Sequence, residues 1–454
     1  MRLTGRLDLR PPEGVLWIAR KLADAGHQAW AVGGAVRDAL LEQRHGDWDL
    51  ATDATPDRMR ALFRRTVPLG IEHGTVGILA PDGAMYETTT FRRDVETFGR
   101  HAVVAFAETL EEDLGRRDFT INALAWDPLT GELRDPYRGA ADLRAGRLRT
   151  VGVPGERFAE DWLRVLRALR FAGHYGLTVE EGTWAALVAA APELPTLSAE
   201  RVREELWKVL GKTPRASVAL DLYARAGVLD ALYPALAATV GFLPQEEDTQ
   251  DVWTTAIRAV DTLPVTRVVV RVAALFHGVG MPAARSRDLR GGWRYVGHEL
   301  LGGRKTEEAM RRLRASNADA ERVAWLVARQ SDIFPPDAPP AGIRRWLRDM
   351  SPERVNDLFR LRFALWRAQP TPRGDRELSE RWRAAHRVLL EHPPLDVGGL
   401  AISGRELRTL GMSPGPDMGQ LLRGLLEEVL DDPALNDPER LRERALHAIQ
   451  ENAS

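Results

Sequence analysis

In this chain of 454 residues, Asp47-Trp48-Asp49 is the pattern that points most directly to chemistry. Strand side chains alternate faces, so an extended segment puts Asp47 and Asp49 on one side and Trp48 and Leu50 on the other. Glu87, in Met85-Tyr86-Glu87-Thr88-Thr89, brings a third carboxylate to that surface if its strand lies beside the first. Three hard oxygen donors suit Mg²⁺, which keeps waters, coordinates substrate phosphates and allows a two-metal in-line transfer. A D-x-D alone is more often a solvated turn or a strand end. Here Gly33-Gly34-Ala35-Val36-Arg37-Asp38 precedes it by one short helix. Gly33 and Gly34 let the backbone approach a triphosphate, the next helix N-terminus offers free N–H groups, and Arg37 can reach phosphate oxygens.

These residues need elements to hold them. Val15, Ile18, Ala19 and Leu22 fall at helical spacing, and Gly26 is a stop signal. Ala29 to Val32 reads as a short apolar strand, the two glycines as a turn and Val36 to Leu41 as a helix. Further strands are expected at Asp47 to Ala51, Thr75 to Leu79, Met85 to Phe91 and Val103 to Phe106, with Thr55 capping a helix that begins at Pro56. After Asp135-Pro136-Tyr137 the strand-like segments stop and helical periodicity takes over, with arginine on the polar side. Breaks rich in proline and glycine fall at Val151 to Gly155, Gly280 to Pro282, Pro335 to Gly342, Pro370 to Gly374 and Pro414 to Pro416.

Length allows roughly three domains, and 44% hydrophobic with 28% charged residues is an ordinary globular composition. The absence of cysteine excludes thiolate metal sites, catalytic thiols and disulfides, and fits a reducing cytoplasm. Met1 to Gly14 has no apolar core of a signal peptide, and Val265 to Phe276, the most apolar stretch, is interrupted by Arg267 and Arg271, so no membrane partner is expected. Of 63 basic residues only Lys21, Lys208, Lys212 and Lys305 are lysines; the other 59 are arginines. Forked guanidinium groups suit phosphate and base recognition, while the bland explanation is codon bias. Asp161 and Arg164 stand at i and i+3 of a helix whose Trp162, Val165, Leu166 and Leu169 form the apolar stripe. Held side by side, such a pair can accept from the exocyclic amine of cytosine or adenine and donate to the neighbouring ring acceptor; the plain alternative is a surface ion pair.

Gly33-Gly34-x-Val36-Arg37-Asp38 followed by Asp47-Trp48-Asp49-Leu50-Ala51-Thr52 resembles the head signature of class II tRNA nucleotidyltransferases and the related bacterial poly(A) polymerases. Arg116-Arg117-Asp118-Phe119-Thr120-Ile121-Asn122-Ala123 is similar to that family's ribose-recognition motif, which assigns Arg117, Asp118 and Asn122 to the nucleotide. Glu160 to Phe171 is similar to its amino-acid template, which assigns Asp161, Arg164, Arg167 and Arg170 to the base. Ser198 to Leu206 resembles the segment that buttresses the template, with Ser198 as N-cap. The resemblance implies an α+β fold: a small nucleotidyltransferase α/β head with a mixed sheet (1–145), then an all-helical neck (146–240), body (241–370) and tail (371–454). It also implies Mg²⁺ at Asp47 and Asp49, supported by Glu87, with CTP, ATP and the tRNA 3′ end as partners and the tail gripping the tRNA elbow through Ile402 to Leu407 and Gly411 to Gly419.

Gly70-Ile71-Glu72-His73-Gly74-Thr75-Val76 is close to the form of the tRNA branch and lacks the arginine-rich sequence of poly(A) polymerases. Ala273 to Pro282 with His298-Glu299 looks like an HD phosphohydrolase segment that has lost ligands, since Gly278 stands where aspartate would follow His277 and Gln330 where a histidine would fall. Arginines within Ile343 to Arg348 and Phe359 to Arg367 are candidates for phosphate contacts, as are ordinary solvated helix faces. The family's flexible loop corresponds to Arg92 to His101, about two residues short and without its glycine and tyrosine. Partial enzymes that add only CC lose part of that loop. Complete CCA addition is the favoured expectation, against CC-only or A-only addition, a poly(A) polymerase, a non-catalytic tRNA-binding protein and an HD phosphohydrolase.

Overall fold

The computed structural model describes residues 9–43, 47–98, 101–289, 291–370 and 375–451, so Gly99 and Arg100 of the expected loop and most of the Pro370 to Gly374 break lie outside it. The chain forms two compact units, 1–237 and 238–454. The expected head and all but the last three residues of the expected neck lie in the first, and the expected body and tail in the second.

The first unit opens with helix α1 (Glu13–Asp24), whose Val15, Ile18, Ala19 and Leu22 are fully buried. Strand β1 (Ala29–Val32) leads through Gly33 into α2 (Gly34–Leu40), and β2 (Asp49–Thr52) returns antiparallel to β1. Helix α3 (Pro56–Leu62) starts as expected, with Thr55 accepting from the Arg58 N–H at 3.4 Å. Strands β3 (Thr66–Gly70), β4 (Thr75–Leu79) and β5 (Met85–Thr90) complete one flank, and β8 (Ala125–Trp126) and β9 (Leu133–Arg134) the other. The seven strands form a mixed sheet in the order β3-β4-β5-β2-β1-β8-β9, in which only β2 and β5 run parallel. Trp30, Val32, Ala51, Phe91, Leu110 and Leu114 form a core beneath it.

Two expectations change. The segment read as a flexible loop is a two-stranded hairpin, β6 (Arg92–Phe98) with β7 (His101–Phe106), antiparallel with a register shift between Asp94 and Glu96. Strands also continue past Tyr137, where β10 (Arg147–Leu148) pairs parallel with β11 (Thr178–Val179); two-residue strands leave no periodicity to read. Helix α4 (Leu110–Gly115) opens on a Thr109/Glu112 capping box, and α5 (Gly139–Arg144), α6 (Pro154–Glu160), α7 (Leu163–Tyr175), α8 (Glu181–Ala190), α9 (Ala199–Lys212) and α10 (Ala216–Arg225) follow.

The second unit is helical apart from a two-residue strand pair at Ser286–Arg287 and Trp293–Arg294. Its last part packs Leu400, Ile402, Leu407, Leu425, Val429 and Leu441 into a separate core, and Ser403 closes a capping box with Glu406. In the segment expected to be a degenerate HD site, a Cβ on Gly278 would stand 2.2 Å from Val252 Cγ1, so an aspartate there requires the Val252 side chain to shift. Gln330 donates instead to the His277 carbonyl at 2.7 Å. Burial pushes the His277 imidazole down to about 4, which keeps it neutral at pH 7.

Candidate active site

The carboxylate face forms as its alternation predicts. Asp47 and Asp49 are exposed, whereas Trp48 and Leu50 are buried at 3% and 1% exposure. Strand β2 pairs with β5 through Leu50↔Thr88, so one step earlier Asp49 and Glu87 stand on neighbouring strands of the same open face. Although Asp49 opens to solvent on one side, the protein crowding its other side desolvates the carboxylate and, with repulsion from Glu87 second, pushes it up to about 6. Arg117 pulls the other way, and Asp47 adds a smaller push upward. No three acidic or histidine side chains among the described residues form a ready cage for a metal ion. The donor set still fits Mg²⁺, which binds through one or two carboxylates and takes its remaining ligands from water and phosphate.

The glycine turn faces this surface. Gly33 has φ +69°, a region open to glycine at little cost, and a Cβ there would stand 2.9 Å from an Arg117 guanidinium nitrogen. Arg117 is held by Asp113 at 3.1 Å and by the Asn122 carbonyl at 3.4 Å, and its buried Nε has no hydrogen-bond partner among the described residues. A cation with an unused donor thus lies between the glycine turn and Asp49. Arg37 is placed differently from its expected reach toward phosphate: it is 6% exposed and donates to Asp38 at 2.8 Å and to Asn122 Oδ1 at 2.5 Å. Its guanidinium also lies over the rings of Tyr175 and Phe171.

The ribose motif is a tight buried network. Asp118 Oδ1 accepts from the Phe119 N–H at 2.9 Å and from Asn122 Nδ2 at 2.8 Å, while Oδ2 accepts from Arg167 at 2.8 Å. Burial pushes the Asp118 carboxyl up, but the Arg167 charge and these hydrogen bonds outweigh it and hold the group below the usual carboxylate range.

The template segment departs from a continuous helix. Asp161 ends α6 with extended backbone (φ −157°, ψ 103°), and α7 begins only at Leu163. Asp161 and Arg164 therefore do not form the i,i+3 pair. The Asp161 carboxylate accepts from the Leu163 N–H at 3.1 Å and from Arg201 at 2.7 Å. Arg164 donates to Glu160 and, at 2.9 Å, to the Arg157 carbonyl. Val165, Leu166 and Leu169 are buried as the stripe requires, while Trp162 is half-buried at the joint. Arg170 donates to the buried Glu205 at 2.6 Å. Arg201 and Glu205 come from the segment expected to buttress the template, although Ser198 makes no side-chain cap bond. Motif spacing gave no sign of Arg201 or Tyr175 as partners, because those bonds join segments 40 and 137 residues apart, nor of Glu160, whose bond to Arg164 spans a helix break; the Asp113 to Arg117 pair is at i,i+4 and was legible in principle. Arginine over arginine gathers at one ring: Arg37, Arg167 and Arg170 all lie within 5.2 Å of the Phe171 centroid.

A mixed sheet with carboxylates on two neighbouring strands, a glycine turn beside them and a cation between defines a nucleotidyltransferase head. Residues 29–149 match the poly A polymerase head domain, and residues 176–239 match the probable RNA and SrmB- binding site of polymerase A. The CCA-adding enzyme of Geobacillus stearothermophilus is 32% identical over 95% of this chain and 96% of its own length. That of Geobacillus thermodenitrificans (strain NG80-2) is 34% identical over the same shares. The crystal structure of the Bacillus stearothermophilus CCA-adding enzyme in complex with CTP superposes with a TM-score of 0.74 at 28% identity, covering 97% of this chain and 98% of that one. The chain belongs to the CCA-adding enzyme family, a family of nucleotidyltransferases.

Proposed function

We propose that this protein adds the 3′-terminal CCA to tRNA, using CTP and then ATP without a nucleic-acid template. The tRNA 3′-hydroxyl attacks the α-phosphate, a P–O bond forms to the growing end, the bond to the β-phosphate breaks and pyrophosphate leaves. Asp47 and Asp49 would hold Mg²⁺, with Glu87 in support, and the bound metal would neutralise phosphate charge and favour ionisation of the attacking hydroxyl. The Gly33 and Gly34 backbone and Arg117 receive the triphosphate, and Arg37 braces the turn from behind. Asp118 and Asn122 take the ribose hydroxyls. Asp161 and Arg164 read the base edge by exchanging Arg201 and Glu160 for it, while Arg167 and Arg170 fix the wall behind them. An amine at cytosine C4 or adenine C6 donates to Asp161; uracil and guanine present oxygen there and are rejected.

The observation that carries this reading is the meeting of Asp47, Asp49 and Glu87 on one open face of neighbouring strands with the Arg117 guanidinium beside the Gly33 turn. A cation would offset the charge gathered on the carboxylates, and a phosphate would offset that of the guanidinium. The test is incubation with radiolabelled CTP and ATP and tRNA lacking all three terminal nucleotides, followed by sequencing of the product ends. Ends in CCA are expected, and Asp47→Ala or Asp49→Ala should abolish incorporation while tRNA is still bound. Products that stop at CC, extension only of tRNA already ending in CC, or untemplated A tails would each replace complete CCA addition with another activity.

A further inference from the structure

Tyr175 belongs to none of the motifs, yet it closes a ring of contacts around the ribose network. Its hydroxyl donates to Asp38 Oδ1 at 2.8 Å, the same oxygen that receives Arg37 Nε at 2.8 Å. Arg37 reaches on to Asn122 Oδ1, Asn122 Nδ2 to Asp118 Oδ1, and Asp118 Oδ2 back to Arg167. Arg167 lies 5.2 Å from the Phe171 centroid, and Phe171 stacks on Tyr175 with an interplanar angle of 24°. The ring is complete when Tyr175 itself supports Arg37, whose guanidinium carbon is 4.6 Å from the tyrosine centroid.

We infer that Tyr175 is a positioning residue for ribose selection, fixing Arg37 so that the Asn122 amide keeps its oxygen toward Arg37 and its nitrogen toward Asp118. An amide so held presents one defined donor and acceptor pattern to a sugar; freed to turn over, it presents either. Arg37 donates to Asn122 Oδ1, and Arg37 has two supports that Tyr175 supplies, the ring face and the shared Asp38 oxygen. Burial pushes the tyrosine hydroxyl up to about 12, so it remains a donor throughout the neutral range. Asp38 and Tyr175 act through Arg37 and need not touch substrate. The effect should therefore fall on the 2′-hydroxyl and leave the base edge, read around Asp161 and Arg164, untouched.

The inference rests on the proposed nucleotide addition, and the experiment separates the two. Incorporation of CTP, dCTP and UTP onto tRNA is followed by the wild type, Tyr175→Phe and Asp38→Asn, alongside thermal melting. Tyr175→Phe keeps the ring and removes only the hydroxyl, so it should fold. The CTP over dCTP ratio of kcat/KM should fall about five- to tenfold in both variants, the size expected for the net loss of one ordinary hydrogen bond acting through Arg37, with the CTP over UTP ratio unchanged. Wild-type protein that incorporates neither CTP nor ATP refutes the proposed activity. Wild-type activity with the CTP over dCTP ratio preserved in both variants, or an equal loss on CTP and dCTP accompanied by a lower melting temperature, overturns the role of Tyr175.

Discussion

Replacing Asp118 with asparagine changes one atom and should strike both stability and ribose recognition. The carboxylate accepts from the Phe119 N–H and Asn122 on one oxygen and from two Arg167 nitrogens, at 2.8 and 2.7 Å, on the other. An amide can offer its oxygen to only one side, so its NH₂ must face either Arg167 or the Phe119 and Asn122 donors. Removing one partner of a buried ion pair costs about 3–5 kcal/mol, and since the Arg167 side chain keeps 31% exposure the lower end applies, about 3 kcal/mol. For a unit of this size that is a melting-temperature drop of roughly 6–12 °C. The pH dependence follows from the depressed carboxyl. A group held below its ordinary value contributes stability above the unfolded value, near 3.9, and loses it as pH falls through the folded value. Calorimetric melts of wild type and Asp118→Asn from pH 7 to pH 3 should show the full gap at neutral pH and a narrowing gap below about pH 4. A neutral-pH gap under about 1 °C, or one constant across the series, would refute the idea that the Asp118 charge holds this network.

Three further outcomes test other parts of the site and the packing behind it. Asp49, raised to about 6, must lose its proton to hold a cation, so kcat/KM for CTP at subsaturating Mg²⁺ should rise with pH through that value; Glu87→Gln removes a repelling charge and should move the midpoint lower, and an unmoved midpoint would separate the two carboxylates. In chelator the sign reverses for stability, because a raised carboxyl costs stability as pH climbs from 3.8 through about 6, and Asp49→Asn should then melt above the wild type at pH 7 but not at pH 4. Gly173→Ala tests the packing behind the template: the added methyl would lie 2.5 Å from Ala219 Cβ and 2.6 Å from its backbone nitrogen, so overpacking of about 1–3 kcal/mol should outweigh the helix-propensity gain of about 1 kcal/mol, and a higher melting temperature would refute the close contact of α7 with α10.

Where local chemistry decides the structure, the sequence was readable. The face shared by Asp47 and Asp49 follows from strand alternation, and the turn at Gly33 from a backbone angle that glycine tolerates best. The template was misread for an equally physical reason. Helical periodicity through Val165, Leu166 and Leu169 extends smoothly back to Asp161, but an aspartate just ahead of a helix is also a start signal, and here its carboxylate takes the Leu163 N–H. Nothing local weighs that cap against one more helical turn. The ion pair from Arg201, forty residues on, lies on the side of the break, and a distant partner leaves no trace in spacing. Arg37 shows the same limit, since its residue type suits phosphate while its surroundings in the fold are Asn122, Asp38 and two aromatic rings.

The hairpin that replaces the expected loop bears on how one pocket could accept first cytidine and then adenosine. A loop that reshapes residue by residue would suffer from losing two residues, whereas a paired ribbon moves as a body about its base and depends mainly on its anchors. Those anchors are intact. Phe91 N–H donates to the Thr52 carbonyl at 2.7 Å and its own carbonyl receives Ala107 N–H at 2.8 Å, so both legs of the ribbon root in the fully buried Phe91 beside β2. Arg92 adds a side-chain bond to the His73 carbonyl at 3.0 Å, and its N–H meets the buried Asp113 that also holds Arg117. The base of the ribbon and the cation beside the glycine turn thus share Asp113 as a partner. The register shift between Asp94 and Glu96 adds local twist partway along the ribbon, where a bulge redirects a strand without breaking its pairing. A ribbon rooted in Phe91 and bonded to Asp113 keeps its base tied to the candidate site, an arrangement that accords with complete CCA addition rather than arrest at CC.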